Sequence, residues 1–236
     1  MSSTLNILCI DSSTEACSVA LITKQQNIHH RFMLAPREHT QKILPTVDDV
    51  VKEAGLTLSD LDYIAYGRGP GSFTGVRIGI SIAQGLAFGL DLKMVGVSTL
   101  QAMAQQALQE NPTCESVYAA IDARMGEIYF AHYINVDGQM SLQGIEVVIK
   151  PELLIEQQQT IFENSILVGT GWQAYPELLA HFSGTSVLSE ILYPNSSFML
   201  SAAAQFISQG EAVEPELATP VYLRDTVTWK KLPGRE

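Results

Sequence analysis

The order of elements in the first half of the chain recurs in the second, and this duplication limits the fold more than any other feature. An apolar run at 5–10 ends at Asp11, and 16–22 and 28–34 read as two further strands around a polar turn. A helix follows over 38–54, with Ile43, Leu44, Val47, Val50, Val51 and Ala54 on one face. Pro45 is expected to kink it and Gly55 to end it. A strand at 61–66, a helix at 74–90, a strand at 93–97 and a helix at 98–109 capped by Ser98 complete this half. In the second half a strand at 116–121 ends at Asp122, and 127–134 and 141–149 form a hairpin around Asp137-Gly138. Pro151 opens a short helix, 165–168 is a strand, and helix, strand and helix follow near 175–181, 185–188 and 197–208. Two such α/β lobes, each a meander feeding a parallel crossover, predict a bilobal fold with a cleft between the lobes. The lobes are expected at 1–110 and 111–208, with an extended tail over 209–236.

The stretch GRGPGSFTGVRIGISIAQGLAFGL, 67–90, is the most distinctive. Its loop, with Gly67, Gly69, Pro70 and Gly71, reads either as a tight turn or as a phosphate-binding loop before a helix N-terminus. The Gly-Lys-Ser/Thr ending of a P-loop is missing, and Thr74 stands where the dinucleotide pattern needs glycine. Ser72 or Thr74 can cap the helix, and Ser72 is not in a G-x-S-x-G elbow. Gly75, Gly79, Ala83 and Ala87 form a stripe of small residues at i, i+4 spacing. With the flanking aliphatic residues the apolar arc is roughly 200° wide, about twice what one-sided burial requires. The reading is a helix packed on two sides, its own sheet and a partner helix that the stripe admits closely. The expected interface comprises His39, Ile43 and Val47 on the first helix and Gly75, Val76, Gly79, Ile80, Ala83 and Ala87 on the second. A large side chain at Gly79 or Ala83 is expected to break that assembly and leave the fold intact.

Other candidates are sparser. Asp11 and Asp122 end equivalent strands and are expected to face each other across the cleft, where they either hold a metal–nucleotide complex or cap turns. Gly169-Thr170-Gly171 with Ala174 fits a loose G-x-G-x-x-A pattern without a complete βαβ start, and reads as a loop against the cleft. A metal site at His39 needs a second ligand one turn on, and Ile43 stands there. His29, His30, His132 and His181 lack metal-site spacing.

Composition narrows the function classes. A net charge of −11 argues against the chain alone gripping nucleic acid, since phosphates need Lys and Arg. The clearest basic cluster is terminal: Arg224, Lys230, Lys231 and Arg235. Cys9, Cys17 and Cys114 read as buried thiols of a reducing cytoplasm, not as a disulfide framework. Neither a secretory signal nor a membrane span is expected, so the reading is cytoplasmic.

The start IDSSTEACSVAL, the REHTQKILP helix start, the 67–89 stretch, the AIDARMGEIYFA strand pair and the YLRD tail together resemble the bacterial TsaB (YeaZ) family over essentially the whole chain. The resemblance implies the actin, sugar-kinase and heat-shock ATPase superfamily, with RNase H-like lobes. It implies a role in making threonylcarbamoyladenosine in tRNA, 3′ of the anticodon, as a non-catalytic scaffold for the homologous TsaD. TsaD transfers the threonylcarbamoyl group from threonylcarbamoyl-adenylate, and TsaE is an associated ATPase. The implied assemblies are a homodimer alone and a heterodimer with TsaD; tRNA is met only through the complex. TsaD carries H-x-x-x-H for its metal, and this chain keeps only His39. The superfamily's ATP loops survive as Asp11-Ser12-Ser13 and Asp122, without the usual glycine after Asp11, and Gly169 and Gly171 complete a degenerate cleft. ATP and metal are therefore expected on partner subunits and none on this chain. The alternative is a kinase-like ATPase or a glycoprotease-type peptidase acting alone.

Overall fold

A computed structural model describes residues 5–158, 161–184 and 186–224. The first sheet comprises β1 (Ile7–Asp11), β2 (Ala16–Ile22) and β3 (Ile28–Leu34), followed after α1 (His39–Glu53) by β4 (Tyr63–Gly67), then α2 (Phe73–Leu90) and β5 (Lys93–Val97). After α3 (Thr99–Glu110) come β6 (Ser116–Arg124), β7 (Glu127–Val136), β8 (Gln139–Ile149), α4 (Pro151–Gln157) and β9 (Ser165–Val168). Next are α5 (Gly171–Ala174), α6 (Pro176–Phe182), β10 (Ser186–Leu188) and α7 (Leu200–Ser208). The strand orders are β3-β2-β1-β4-β5 and β8-β7-β6-β9-β10, the same path twice. In each, two antiparallel pairings lead into two parallel ones. The duplication expected from the strand–Asp–strand order is thus present in the sheets.

Period-2 alternation explains the layers. Leu8 and Ile10 of β1 point to the side covered by α1 and α2, and Ile7 and Cys9 to the other. In β6, Val117, Ala119 and Ile121 face α3, and Tyr118 and Ala120 face Leu154 of α4, Trp172 of α5 and Phe182 of α6. Local chemistry sets the ends. Ser98 accepts from the amides of Leu100 and Gln101 and caps α3; Ser72 accepts from Gly75 and caps α2. Gly55 follows α1 at φ +69°, and Asp137 and Gly138 both take positive φ in the β7–β8 turn. α1 runs as one helix from His39 to Glu53 with Pro45 inside it.

Two expectations need correction. The cuts at 110 and 208 do not follow the packing: α3 covers the second sheet, and α7 covers the back of the first, where Met199, Leu200, Ala202 and Ala203 meet Ile7, Cys9 and Val95. The lobes exchange these helices. The tail expected to be extended over 209–236 is held to the first lobe where it is described, since Val213 bridges to Met94 and Pro215–Leu217 forms a 3-10 turn; residues 225–236 lie outside the described residues.

The small-residue stripe also points the other way from the expected interface. Gly75, Val76, Gly79, Ile80, Ala83 and Ala87 are all buried within their own lobe, as are His39, Ile43 and Val47. α2 has the length and composition of a membrane-spanning helix, yet this face is packed into the core. A methyl group on Gly71 would stand 2.3 Å from the Ser13 carbonyl oxygen, one on Gly75 2.3 Å from that of Ser12, and one on Gly79 2.8 Å from Ser12 Oγ. The stripe exists so that α2 can lie directly on the 12–13 loop. The wide apolar arc arises because this buried face is joined by Ile78, Ile82 and Phe88 on the outward one.

Overpacking of this kind costs about 1–3 kcal/mol, so Gly75→Ala is expected to destabilise by at least that much in urea unfolding. Gly85, also in α2, has nothing within 4 Å of an added methyl, and Gly85→Ala should be neutral or stabilising by up to about 1 kcal/mol. Equal stability of the two variants would contradict this packing.

Candidate functional site

The cleft between the lobes has a volume of about 1560 Å³. Its walls are Ser13–Glu15 and the start of α2 on one side, the end of β6 with Thr170 and Gln173 on the other, and the tail residues 221–224. Gly71 also lines it, and Ser12 lies behind.

Asp11 and Asp122 do not converge. Asp122 lines the cleft, where Arg124 Nη1 lies 3.0 Å away and the Tyr175 hydroxyl donates to it at 3.3 Å. Asp11 is 1% exposed and lies off the cleft, over Gly67. Its Oδ1 accepts from the Ser13 amide and hydroxyl, and its Oδ2 has no hydrogen-bond partner. Burial pushes its carboxyl up to about 7, against the lowering effect of the Ser13 bonds. The nearby thiols are raised too: Cys17 to about 11 and Cys9 further, each by burial first and the Asp11 charge second.

The loop that would cradle a phosphate is filled from inside the protein. Ser12 Oγ donates to the Gly75 carbonyl at 2.9 Å, and the Ser72 amide donates to the Ser13 carbonyl at 2.7 Å. The Gly169–Gly171 pair is likewise packed on protein, since a methyl on Gly169 would stand 2.1 Å from the Ala120 carbonyl and one on Gly171 3.0 Å from Ala120. These residues therefore do not fit a metal–nucleotide held between Asp11 and Asp122. The His39 ring makes a 3.2 Å contact with the Ala16 carbonyl, and the described residues hold no group of three metal-ligating side chains. Ser116 and His132 lie 2.8 Å apart, but Ser116 is 1% exposed and neither lines the cleft, so the pair does not make an accessible nucleophile.

Sequence reasoning missed the charges that tie the lobes. Glu146 of β8, its side chain 6% exposed, accepts from the Tyr133 hydroxyl at 2.9 Å and from Ser98 Oγ, with Arg68 at 3.4 Å. Arg224 binds Glu127, so it is not a free phosphate ligand; Lys230, Lys231 and Arg235 lie outside the described residues. Arg77 is stacked against Phe73, 3.3 Å from the ring centroid, and lies 4.8 Å from that of Tyr222. A glutamate among the apolar residues of β8 was the available signal for the first of these.

The family model described as TsaD, tRNA N6-adenosine threonylcarbamoyltransferase, matches residues 19–231. The Escherichia coli K12 protein named "tRNA threonylcarbamoyladenosine biosynthesis protein TsaB" is 50% identical over 233 residues, 98% of this chain and all of that one. This chain belongs to the TsaB family. The Haemophilus influenzae protein of the same name is 44% identical over 98% of this chain and 99% of that one. The solved structure of YeaZ from Pseudomonas aeruginosa superposes with a TM-score of 0.82 at 40% identity, covering 93% of this chain and all of that one. A component of an Acidaminococcus fermentans (R)-2-hydroxyglutaryl-CoA dehydratase shares the fold at 11% identity and a TM-score of 0.51, covering 88% and 99% of the two chains. The architecture is the two-lobed α/β fold expected from the duplication, in the actin-like class that the family resemblance implied.

Asp11 yields a pH prediction. Its folded pKa is raised, so its favourable contribution is complete below the usual carboxylate pKa, near 4, and is lost as pH rises through about 7. Unfolding free energy should fall across that window by up to about 1.4 kcal/mol per pH unit from this group, and Asp11→Asn should flatten the slope. Identical slopes for the two proteins, by urea unfolding at stepped pH, would refute the buried neutral carboxyl.

Proposed function

We propose that this protein acts in tRNA threonylcarbamoyladenosine biosynthesis as a non-catalytic subunit that supports a TsaD-type transferase. The observation that carries the reading is the filled loop: α2 sits on Ser12 through Gly75 and Gly79, and Gly71 just before it sits on Ser13, where the fold's ATPases would need room for phosphate. The family supplies the pathway, since the relatives are named for that biosynthesis. On this reading ATP and metal belong to partner subunits, TsaE among them, and the chain acts in the cytoplasm. The net charge of −11 supports meeting tRNA through the complex rather than alone.

The partner face proposed here lies on the same two helices as expected from sequence, but on their outward side. Ile78 and Ile82 are half-buried on α2, Phe88 is 75% exposed, and Leu44 of α1 is 49% exposed. Exposed apolar side chains on adjoining helices suit a protein partner, either TsaD or a second copy of the chain.

The test is reconstitution. The chain alone should show no ATP or peptide turnover, and addition of it to TsaD, TsaE and the threonylcarbamoyl-adenylate donor system should raise tRNA modification. Phe88→Glu should stay folded and lose both self-association and TsaD capture, whereas Ala83→Arg should fail to fold because Ala83 is fully buried. ATP turnover by the pure chain that Asp122→Asn abolishes would overturn the non-catalytic reading. A folded Phe88→Glu protein that still captures TsaD would overturn the face.

A further inference from the structure

Residues 219–224 run along the cleft and are held there on both sides. The Tyr66 hydroxyl donates to the Thr219 carbonyl at 3.4 Å, the Val221 amide donates to the Arg68 carbonyl at 2.9 Å, and Arg77 lies 4.8 Å from the Tyr222 ring centroid. Arg224 crosses to the second lobe and pairs with Glu127. Val221, Tyr222, Leu223 and Arg224 all line the cavity, so the chain beyond Arg224 starts from within it. The cavity is apolar and open at that point. Phe73 is 61% exposed, Met125 67% and Tyr222 45%, and Tyr129 and Tyr193 are half-buried in the same walls. Aromatic and thioether groups converging on one cavity make a lining that suits a bulky apolar side chain.

Residues 225–236, outside the described residues, read DTVTWKKLPGRE. The match to the family model continues through 231. Thr, Val, Thr and Trp at 226–229 favour extended chain, in which Val227 and Trp229 share a side. From Arg224, five extended residues reach roughly 17 Å, more than the roughly 12 Å edge of a cube with the cavity's volume of about 1560 Å³. Trp229 is therefore within reach of the apolar walls. Charge agrees with that placement. Residues 111–208 hold 10 Asp and Glu against Arg124 and Lys150, whereas 229–235 carry Lys230, Lys231 and Arg235 and no acid. On the cleft wall Glu15 and Asp122 share the single exposed arginine Arg124, at 3.4 and 3.0 Å.

We propose that residues 225–231 enter the cleft of their own chain, with Trp229 seated on Phe73, Met125 and Tyr222 and the Lys230-Lys231 pair turned toward Glu15 and Asp122. The cleft then holds a segment of the protein itself, as the 12–13 loop holds α2. Lys230 and Lys231 are neutralised there and not offered to nucleic acid. This concerns the chain alone and does not depend on its role beside TsaD.

The chain has two tryptophans, and Trp172 is fully buried in the second lobe, so fluorine spectra of the full chain made with 5-fluorotryptophan read Trp229 separately. Trp229→Phe assigns the signal, and a synthetic peptide of residues 225–236 supplies the exposed reference. With a dissolved gadolinium chelate, the Trp229 signal should broaden as little as that of Trp172, whatever the protein concentration. Met125→Asn and Phe73→Ser, both at exposed positions, should each move Trp229 to the peptide's shift and abolish its protection, with Trp172 unmoved. A Trp229 signal broadened as in the peptide would overturn the proposal. So would a protected Trp229 that is indifferent to both substitutions, since it then lies outside the cleft. Protection lost on dilution would put the segment in the cleft of a second copy and refute the intramolecular placement.

Discussion

The contact between α2 and the 12–13 loop is the constraint on which the rest depends. Three residues without side chains, Gly71 just before the helix and Gly75 and Gly79 in its first turns, let the helix approach a strand–turn backbone that any larger residue would hold away. That approach closes the loop on the protein itself: Ser12 and Ser13 spend their polar groups on α2 and on Asp11. It also buries Asp11 without a partner for one oxygen, which raises the carboxyl toward neutrality. Two acidic side chains in equivalent positions of a duplicated fold thus end in different surroundings, Asp122 in the cleft beside an arginine and Asp11 sealed in the core.

The exchange of α3 and α7 makes the two lobes interdependent. Each helix leaves the lobe that precedes it in sequence and covers the sheet of the other. Neither sheet has a full hydrophobic layer without the other half of the chain. Polar groups are then shared between the lobes as well: Arg68 of the first meets Glu146 of the second, and the Ser98 cap of α3 also donates to that carboxylate.

Much of the fold was legible in the residues. Alternation in the strand runs, the Asp137-Gly138 turn, and the Ser98 and Ser72 caps are local features, and local chemistry decides them. The repeat of element order showed that the two sheets would follow the same path, a meander feeding a parallel crossover. Other features depended on contacts distant in sequence. A stripe of small residues says that something approaches closely, but it does not say what; Ser12, 63 residues before Gly75, is the answer here. The period of α3 shows which face is apolar and not which sheet it meets. Glu146 and Arg224 look like ordinary surface charges in sequence, and their partners lie 78 and 97 residues away.

The most direct test of the central claim is whether the 12–13 loop has room for phosphate. Backbone amide spectra of the isotopically labelled chain, titrated with Mg–ATP to millimolar concentration, read this residue by residue. The account predicts that the Ser12, Gly75 and Gly79 amides stay where they are throughout the titration. A saturable shift of those three amides together would show that α2 yields the loop to a nucleotide, and would contradict the account.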